Sequence, residues 1–256
     1  WKNNTEEERL LGVSLTGIMD NELTSGKKHG LDKTLEALRQ VAVETNKEWS
    51  AIFGIPQSTA ITCVKPSGTV SQLVDSSSGI HPRHSDYYIR TVRGDNKDPL
   101  TNFMVDSGIP NEADFMKPDT QTVFSFPMKS PKNSVVRNDM TAIEQLEMWL
   151  LYQRHWCEHK PSVTVSVRDE EWMEVGAFVF KHFDEMSGVS FLPHSDHTYQ
   201  QAPYQDCTEA VYNDFSSKFG HIDWDKFQSY EKEDNTHSSQ TLACSGDSCE
   251  IVDIGA

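Results

Sequence analysis

Apolar residues recur at helical spacing from residue 31 to residue 53. Leu31, Leu35, Leu38, Ala42, Trp49 and Ile52 share one face and predict a helix, entered through Gly30, with that face buried. Met140 to Glu158 gives the clearest amphipathic helix, carrying Ile143, Leu146, Met148, Leu150 and Leu151. Asp169 to Met186 repeats the pattern with Trp172, Val175, Phe178, Val179 and Phe183, and Ser187-Gly188 ends it. Thr5 to Asp20 also reads as a helix: Thr5 and Glu8 form a capping box before Leu10, Leu11, Val13, Leu15 and Ile18. Gly12 and Gly17 disturb that pattern and imply close packing. Shorter helices are predicted over Asp98 to Ser107, closed by Gly108, and over Thr208 to Phe219.

The strand pattern is sparser. Ile61 to Val64 is a short β-branched run, Tyr87 to Val92 and Thr122 to Phe126 read as strands, and Val189 to Leu192 is another. Ser162 to Val167 alternates hydroxyl residues with Val163, Val165 and Val167, so one face is apolar. Asp75 to Pro82 and Pro127 to Asn138 are polar loops rich in turn residues. Strands separated by helices predict an α/β fold built on a parallel sheet or barrel. No repeat and no second domain is visible. The expected organisation is a body over residues 1–225 and a flexible tail over 226–256, since Ser, Asp, Asn and Gly dominate from Glu231 onward.

Composition narrows the function classes. A net charge of −16 over 256 residues excludes general nucleic-acid binding, which needs a basic surface. A nucleotide remains an acceptable ligand, because backbone amides bind phosphate without basic side chains. No apolar run approaches the roughly 18 residues of a membrane span, and no secretory signal is visible. The 5 cysteines are scattered and do not form a secreted disulfide framework, so a reducing, cytoplasmic setting is expected. Opening on Trp1 fits a processed chain or a piece of a longer one.

Two stretches carry chemistry. Ile61 to Val64 leads into Lys65-Pro66-Ser67-Gly68-Thr69-Val70-Ser71, a strand, a break and a run that begins a helix. Pro66 and the small residues after it suit a helix's first turn, whose unpaired N–H groups seat an anion. An ordinary βα turn has the same pattern. At the other end, Cys244 and Cys249 are separated by Ser, Gly, Asp and Ser, which bend easily and let two accessible sulfurs meet, as thiol–disulfide exchange requires. Incidental cysteines or half of a metal site are the alternatives, but no matching second pair of ligands is present. His155, Cys157 and His159 do not form a metal cluster on a helix, because Cys157 points away from the face the histidines share. His194, His197, Tyr199, Gln200 and Gln201 follow a strand, where an α/β site would form. His81 and His84 flank Pro82, and Cys63 and Cys207 read as structural thiols.

The run from Lys65 to Arg93, the block from Gly188 to Cys207 and the closing Cys244-Ser-Gly-Asp-Ser-Cys249 together resemble adenosylcobalamin-dependent (class II) ribonucleotide reductases, most of all the monomeric ribonucleoside-triphosphate type. The resemblance implies the C-terminal part of a ten-stranded α/β barrel and reduction of ribonucleoside triphosphates to 2′-deoxyribonucleotides, for DNA precursor synthesis. It implies Ser67, Gly68, Thr69, Val70 and Ser71 as contacts to the substrate's phosphates. Cys244 and Cys249 become a shuttle pair that reduces the active-site disulfide and is itself reduced by thioredoxin. The cofactor implied is adenosylcobalamin, the state a monomer, with no protein-ligated metal, nucleic acid or membrane as partner. The family's Asn-Pro-Cys-x-Glu radical loop does not occur in this sequence, so the chain alone is expected to be inactive. Three other readings compete: a non-catalytic nucleotide- or phosphate-binding domain, a dithiol redox protein acting through Cys244 and Cys249 alone, and part of a class I ribonucleoside-diphosphate reductase large subunit.

Overall fold

A computed structural model describes residues 1–194 and 199–232. The first helix, α1 (Lys2–Glu8), stops where Arg9 turns left-handed at φ 47°. The helix predicted over Thr5 to Asp20 does not form. In its place are strand β1 (Val13–Ser14) and a 3-10 turn at Ile18–Asp20. Tertiary pairing overrides the helical pattern here: the N–H groups of Leu11, Val13 and Leu15 donate to the carbonyls of Ala60, Ile61 and Cys63. Gly17, at φ 70°, supplies the bend that a helix interior would not allow.

Helix α2 (Leu31–Phe53) has the predicted bounds, and Gly54 closes it in the left-handed conformation with its N–H on Ser50 and Ala51. Its predicted buried face is only half buried. Leu31 and Leu35 are in the core, whereas Leu38, Trp49 and Ile52 are exposed. Strand β2 (Thr62–Cys63) lies parallel to β1, pairing Val13 with Thr62 and Ser14 with Cys63. A four-residue helix α3 (Val70–Leu73) leads through a long loop to β3 (Tyr87–Asp95). Helix α4 (Pro99–Asp106) is capped by the Asp98 carboxylate, which accepts from the Leu100 N–H, with Pro99 in the first turn. Strands β4 (Asn111–Ala113) and β5 (Gln121–Lys129) pair antiparallel.

Helix α5 (Ala142–His155) begins with the capping box of Thr141 and Glu144. It ends three residues before the predicted Glu158 because the N–H groups of Glu158 and His159 turn back to the Thr62 carbonyl. Strand β6 (Val163–Val167) buries all three valines of its alternating pattern. Helix α6 (Trp172–Lys181) leads to β7 (Val189–Pro193), parallel to β6 and in register from Val163–Val189 to Val167–Pro193. Strand β8 (Tyr204–Asp206) and helix α7 (Glu209–Ser217) follow. Alternating β and α elements with two parallel strand pairs make this an α/β fold. A four-stranded antiparallel sheet in the order β4-β5-β3-β8 completes it, and the described residues form no closed barrel.

The chain divides into two compact units. The first comprises Trp1–Tyr88, Met128–Thr198 and Tyr204–Thr208. Its core sets Trp149, Tyr152 and Leu146 of α5 against Val165 of β6 and Leu35 of α2. Buried polar tips are paired: the indole N–H of Trp156 donates to Cys63 and the Tyr152 hydroxyl to Thr24. The Ser162 N–H donates to the Val64 carbonyl, so β6 starts where β2 ends. The second unit comprises Ile89–Pro127, Tyr199–Pro203 and the chain from Glu209. Phe103 sits at its centre, with Trp224, Phe227 and Tyr230 at ring distances of 5.5, 5.7 and 5.5 Å. The stretch after residue 225, read from sequence as tail, is thus ordered through a 3-10 turn ending at Ser229.

Candidate functional site

Residues 65–79 form a loop closed on itself. Gly79, at φ 54°, approaches so near its start that a Cβ there would meet the Lys65 carbonyl oxygen at 2.9 Å. Ser67 is held from both sides. Its N–H donates to the Ser78 hydroxyl, and its carbonyl accepts from the hydroxyls of Ser78 and Ser71. Its own hydroxyl accepts from the Ser71 N–H at 2.9 Å. Ser71 is fully buried, so it frames the loop instead of facing solvent.

Between Ser67 and Ser71 the backbone faces outward. Gly68, Thr69 and Val70 are exposed, and among the described residues their N–H groups meet no acceptor. Space over Gly68 is open, with nothing within 4 Å of an added Cβ. Helix α3 begins at Val70 and not at Pro66, and a single turn carries little macrodipole. An anion bound here would therefore rest on the adjacent N–H donors, helped by the Ser67 and Thr69 hydroxyls.

The underside of the loop is a buried ionic network that sequence reasoning did not find. Arg83 donates to both carboxylate oxygens of Asp20 at 2.9 Å, to the Asp75 carbonyl at 2.7 Å and to its carboxylate at 3.1 Å. Asp20 accepts in turn from the Ser77 N–H at 2.7 Å and from the Ser134 hydroxyl. Burial alone would lower the guanidinium pKa, but its bonds to Asp20 and Tyr88 outweigh this and hold it above its ordinary value. Arg83 and Asp20 are 63 positions apart, so no local spacing announces the pair. The residues predicted as the helix at Thr5 to Asp20 serve the same loop: Ser14 accepts from the Lys65 N–H, and Thr16 accepts from the Gly79 N–H.

The other singled-out side chains are spoken for elsewhere. His81 faces the Ser78 carbonyl through Nδ1 and accepts from the Thr164 N–H through Nε2, which assigns its proton to Nδ1. Burial lowers its pKa. His84 pairs with Asp206 at 2.9 Å and stacks on Tyr204. His155 faces Glu36, and His159 the Leu11 carbonyl, so they diverge. Cys63 and Cys157 are buried, and burial beside Cys63 pushes the Cys157 thiol up to about 12. Cys207 is half-buried, its pKa raised by burial and by Asp206. Gln201 is buried in the second unit, bridging the Ala113 carbonyl and the Phe115 N–H. The His194 N–H extends the β6 ladder by donating to Val167. His197, Cys244 and Cys249 lie outside the described residues.

A groove of about 270 Å³ between α5 and α6, lined by Leu150, Leu151, Phe178, Arg154 and His182 among others, is below the roughly 300–1,000 Å³ of small-molecule sites. No described helix is long and apolar enough to cross a membrane.

No family model matches the chain. Curated relatives do. A probable adenosylcobalamin-dependent ribonucleoside-triphosphate reductase of Dictyostelium discoideum is 30% identical over 250 residues, covering 95% of this chain and 32% of that protein. The adenosylcobalamin-dependent ribonucleoside-triphosphate reductase of Euglena gracilis is 28% identical, covering 84% of this chain and 30% of its own. The crystal structure of a B12-dependent (class II) ribonucleotide reductase superposes with a TM-score of 0.78 at 24% identity, covering 91% of this chain and 36% of that one. The chain is a relative of these reductases over nearly all of its length, and it spans about a third of the length of the curated relatives it matches.

Proposed function

We propose that this chain is the C-terminal third of an adenosylcobalamin-dependent ribonucleoside-triphosphate reductase, the part that seats the substrate's phosphates and restores reducing equivalents. The observation that carries the reading is the closed loop whose Gly68, Thr69 and Val70 N–H groups face solvent, in a chain whose relatives bear that name. A triphosphate laid across those donors gains several charge-assisted hydrogen bonds, each stronger than a neutral one. The Ser67 and Thr69 hydroxyls complete the shell, and Ser71 holds the frame. Fixing the phosphates orients the ribose, the entropic share of catalysis that a binding residue supplies.

The whole enzyme replaces a 2′-hydroxyl by hydrogen. That takes two electrons and two protons, which a dithiol provides as it becomes a disulfide while the hydroxyl leaves as water. Adenosylcobalamin supplies the initiating radical in the whole enzyme. The α5–α6 groove is too small to enclose a corrin, so no residue lining it is assigned to that cofactor. In this reading the tail's part is exchange. One of Cys244 and Cys249 attacks the active-site disulfide as thiolate, and the other resolves the mixed disulfide and leaves the tail oxidised. Thioredoxin reduces it in the same way. The parallel pairs β1–β2 and β6–β7 belong to the ten-stranded barrel, and the enzyme works as a monomer in a reducing, cytoplasmic setting.

The test uses the full-length parent with ATP or CTP, adenosylcobalamin and either thioredoxin with its reductase or a small dithiol. Wild type is expected to form deoxynucleotide with both reductants, and the Cys244→Ser/Cys249→Ser variant only with the small dithiol. Gly68→Val puts its Cβ into open space beside the free N–H groups, so it is expected to raise KM for the triphosphate with little change in Tm. Absence of deoxynucleotide under every reductant overturns the enzyme reading and leaves a phosphate-binding module.

A further inference from the structure

We propose that Arg83 is a positioning residue for the phosphate seat: from beneath the loop it fixes Asp75 directly and Ser77 through Asp20, and so sets the arrangement in which Gly68, Thr69 and Val70 present their N–H groups. The inference rests on the phosphate-seat reading of residues 67–71. The Arg83 side chain is 4% exposed and cannot itself touch a nucleotide. Its donors are instead spent on the loop. Nη2 reaches the carbonyl of Asp75, the residue just after the α3 C-cap, which holds a left-handed φ of 47°, a conformation that Asp adopts more readily than most side-chain-bearing residues and that this bond helps to fix. Nε and Nη2 grip both oxygens of Asp20, whose second bond anchors the Ser77 N–H. Ser78, the next residue, carries the hydroxyl that binds Ser67 at both its N–H and its carbonyl. A continuous path of hydrogen bonds and two adjoining backbone positions therefore joins the guanidinium to the residue that opens the seat.

A buried ion pair is weak as a pure stabiliser, since well-packed apolar residues of similar volume often serve as well. What it adds is geometry, and a planar fork held at both carboxylate oxygens restricts geometry more than a lysine would. The loop is fixed at 67, 71, 77, 78 and 79, while its exposed arc is held at carbonyls alone, Thr69 accepting from the Gln72 and Leu73 N–H groups and Val70 from that of Val74.

The experiment compares Arg83→Gln, Arg83→Lys and Asp75→Gly in the full-length enzyme with Gly68→Val as the seat control. It reads KM and kcat for the ribonucleoside triphosphate, the inhibition constant of inorganic tripolyphosphate, and Tm. A displaced seat is expected to raise KM and the tripolyphosphate constant together by about 10-fold or more, with kcat nearly unchanged, the signature of lost binding common to ground and transition states. Arg83→Lys keeps the charge and is expected to recover only part of the loss. Asp75→Gly removes an exposed partner and frees the backbone, so it reports on the same path even if Arg83→Gln does not fold; its KM is expected to rise about 3-fold. If Gly68→Val raises both constants while the Arg83 variants that fold and Asp75→Gly leave them unchanged, the positioning role is wrong and the seat stands. If Gly68→Val itself changes neither, the seat reading fails, and the inference with it.

Discussion

At the scale of single residues, a side chain's chemistry was easier to read than its partner. His81 was visible as a histidine beside the loop, but its task was not, because the Thr164 N–H that it accepts from lies 83 positions away. That bond makes a pH prediction. Burial lowers the folded-state pKa below the unfolded value of about 6.5, so above that pH both states are neutral and its contribution is complete. As pH falls through about 6.5 toward the folded-state pKa, the unfolded chain takes up a proton that the folded chain refuses, and stability is lost. Denaturant melts at several pH values should show wild type losing stability relative to His81→Gln on going below about pH 6.5. A constant difference between the two proteins across that range would show that His81 does not titrate as its burial demands. Arg83 and Asp20 were missed for the same reason as the His81 partner, separation in sequence. The expectation at Ser67 and Gly68 is of the local kind, carried by adjacent residues, and the loop there does close on Ser67.

At the scale of elements, success followed the locality of the forces. Helix α5 and strand β6 came out nearly as predicted because a capping box, an apolar face and an alternating pattern are written in consecutive residues. The segment from Thr5 to Asp20 failed because its backbone donors are claimed by β2, and periodicity carries no information about a competing strand. Helix α2 is an intermediate case. Its bounds were legible but its burial was not: Leu35 is fully buried, while Val41 and Ile52 are both 61% exposed. The consequence is a graded one. Leu35→Ala should destabilise the chain by about 2–5 kcal/mol through the lost contacts and residual cavity. Val41→Ala should stay within about 0.5 kcal/mol. Chemical denaturation of both variants separates the two cases, and equal losses would mean that the α2 surface is covered in solution.

At the scale of the whole molecule, the α/β class followed from the alternation of elements, while closure of a barrel did not, because closure depends on strands meeting partners that a single linear pattern cannot identify. Among the described residues β1 pairs with β2 alone and β7 with β6 alone, leaving an unpaired edge on each, and exposed apolar residues line α2 and α6, with Phe180 at 87%. Open edges and apolar faces of this kind invite association unless something pairs or covers them. The chain spans about a third of its relatives' length, and the proposed barrel supplies the missing neighbours. Amide hydrogen exchange tests this directly. In the chain alone, amides on the outer edges of β1 and β7 should exchange fast, while those of β6 facing β7 are protected by the ladder from Val163 to Val167. In the full-length protein the outer-edge amides should slow by orders of magnitude, since they gain ladder partners and exchange only with larger openings. Unchanged exchange at both edges would mean that β1 and β7 are true edges, and the barrel assignment would have to be withdrawn, while the loop over residues 65–79, whose bonds all lie within this chain, would be unaffected.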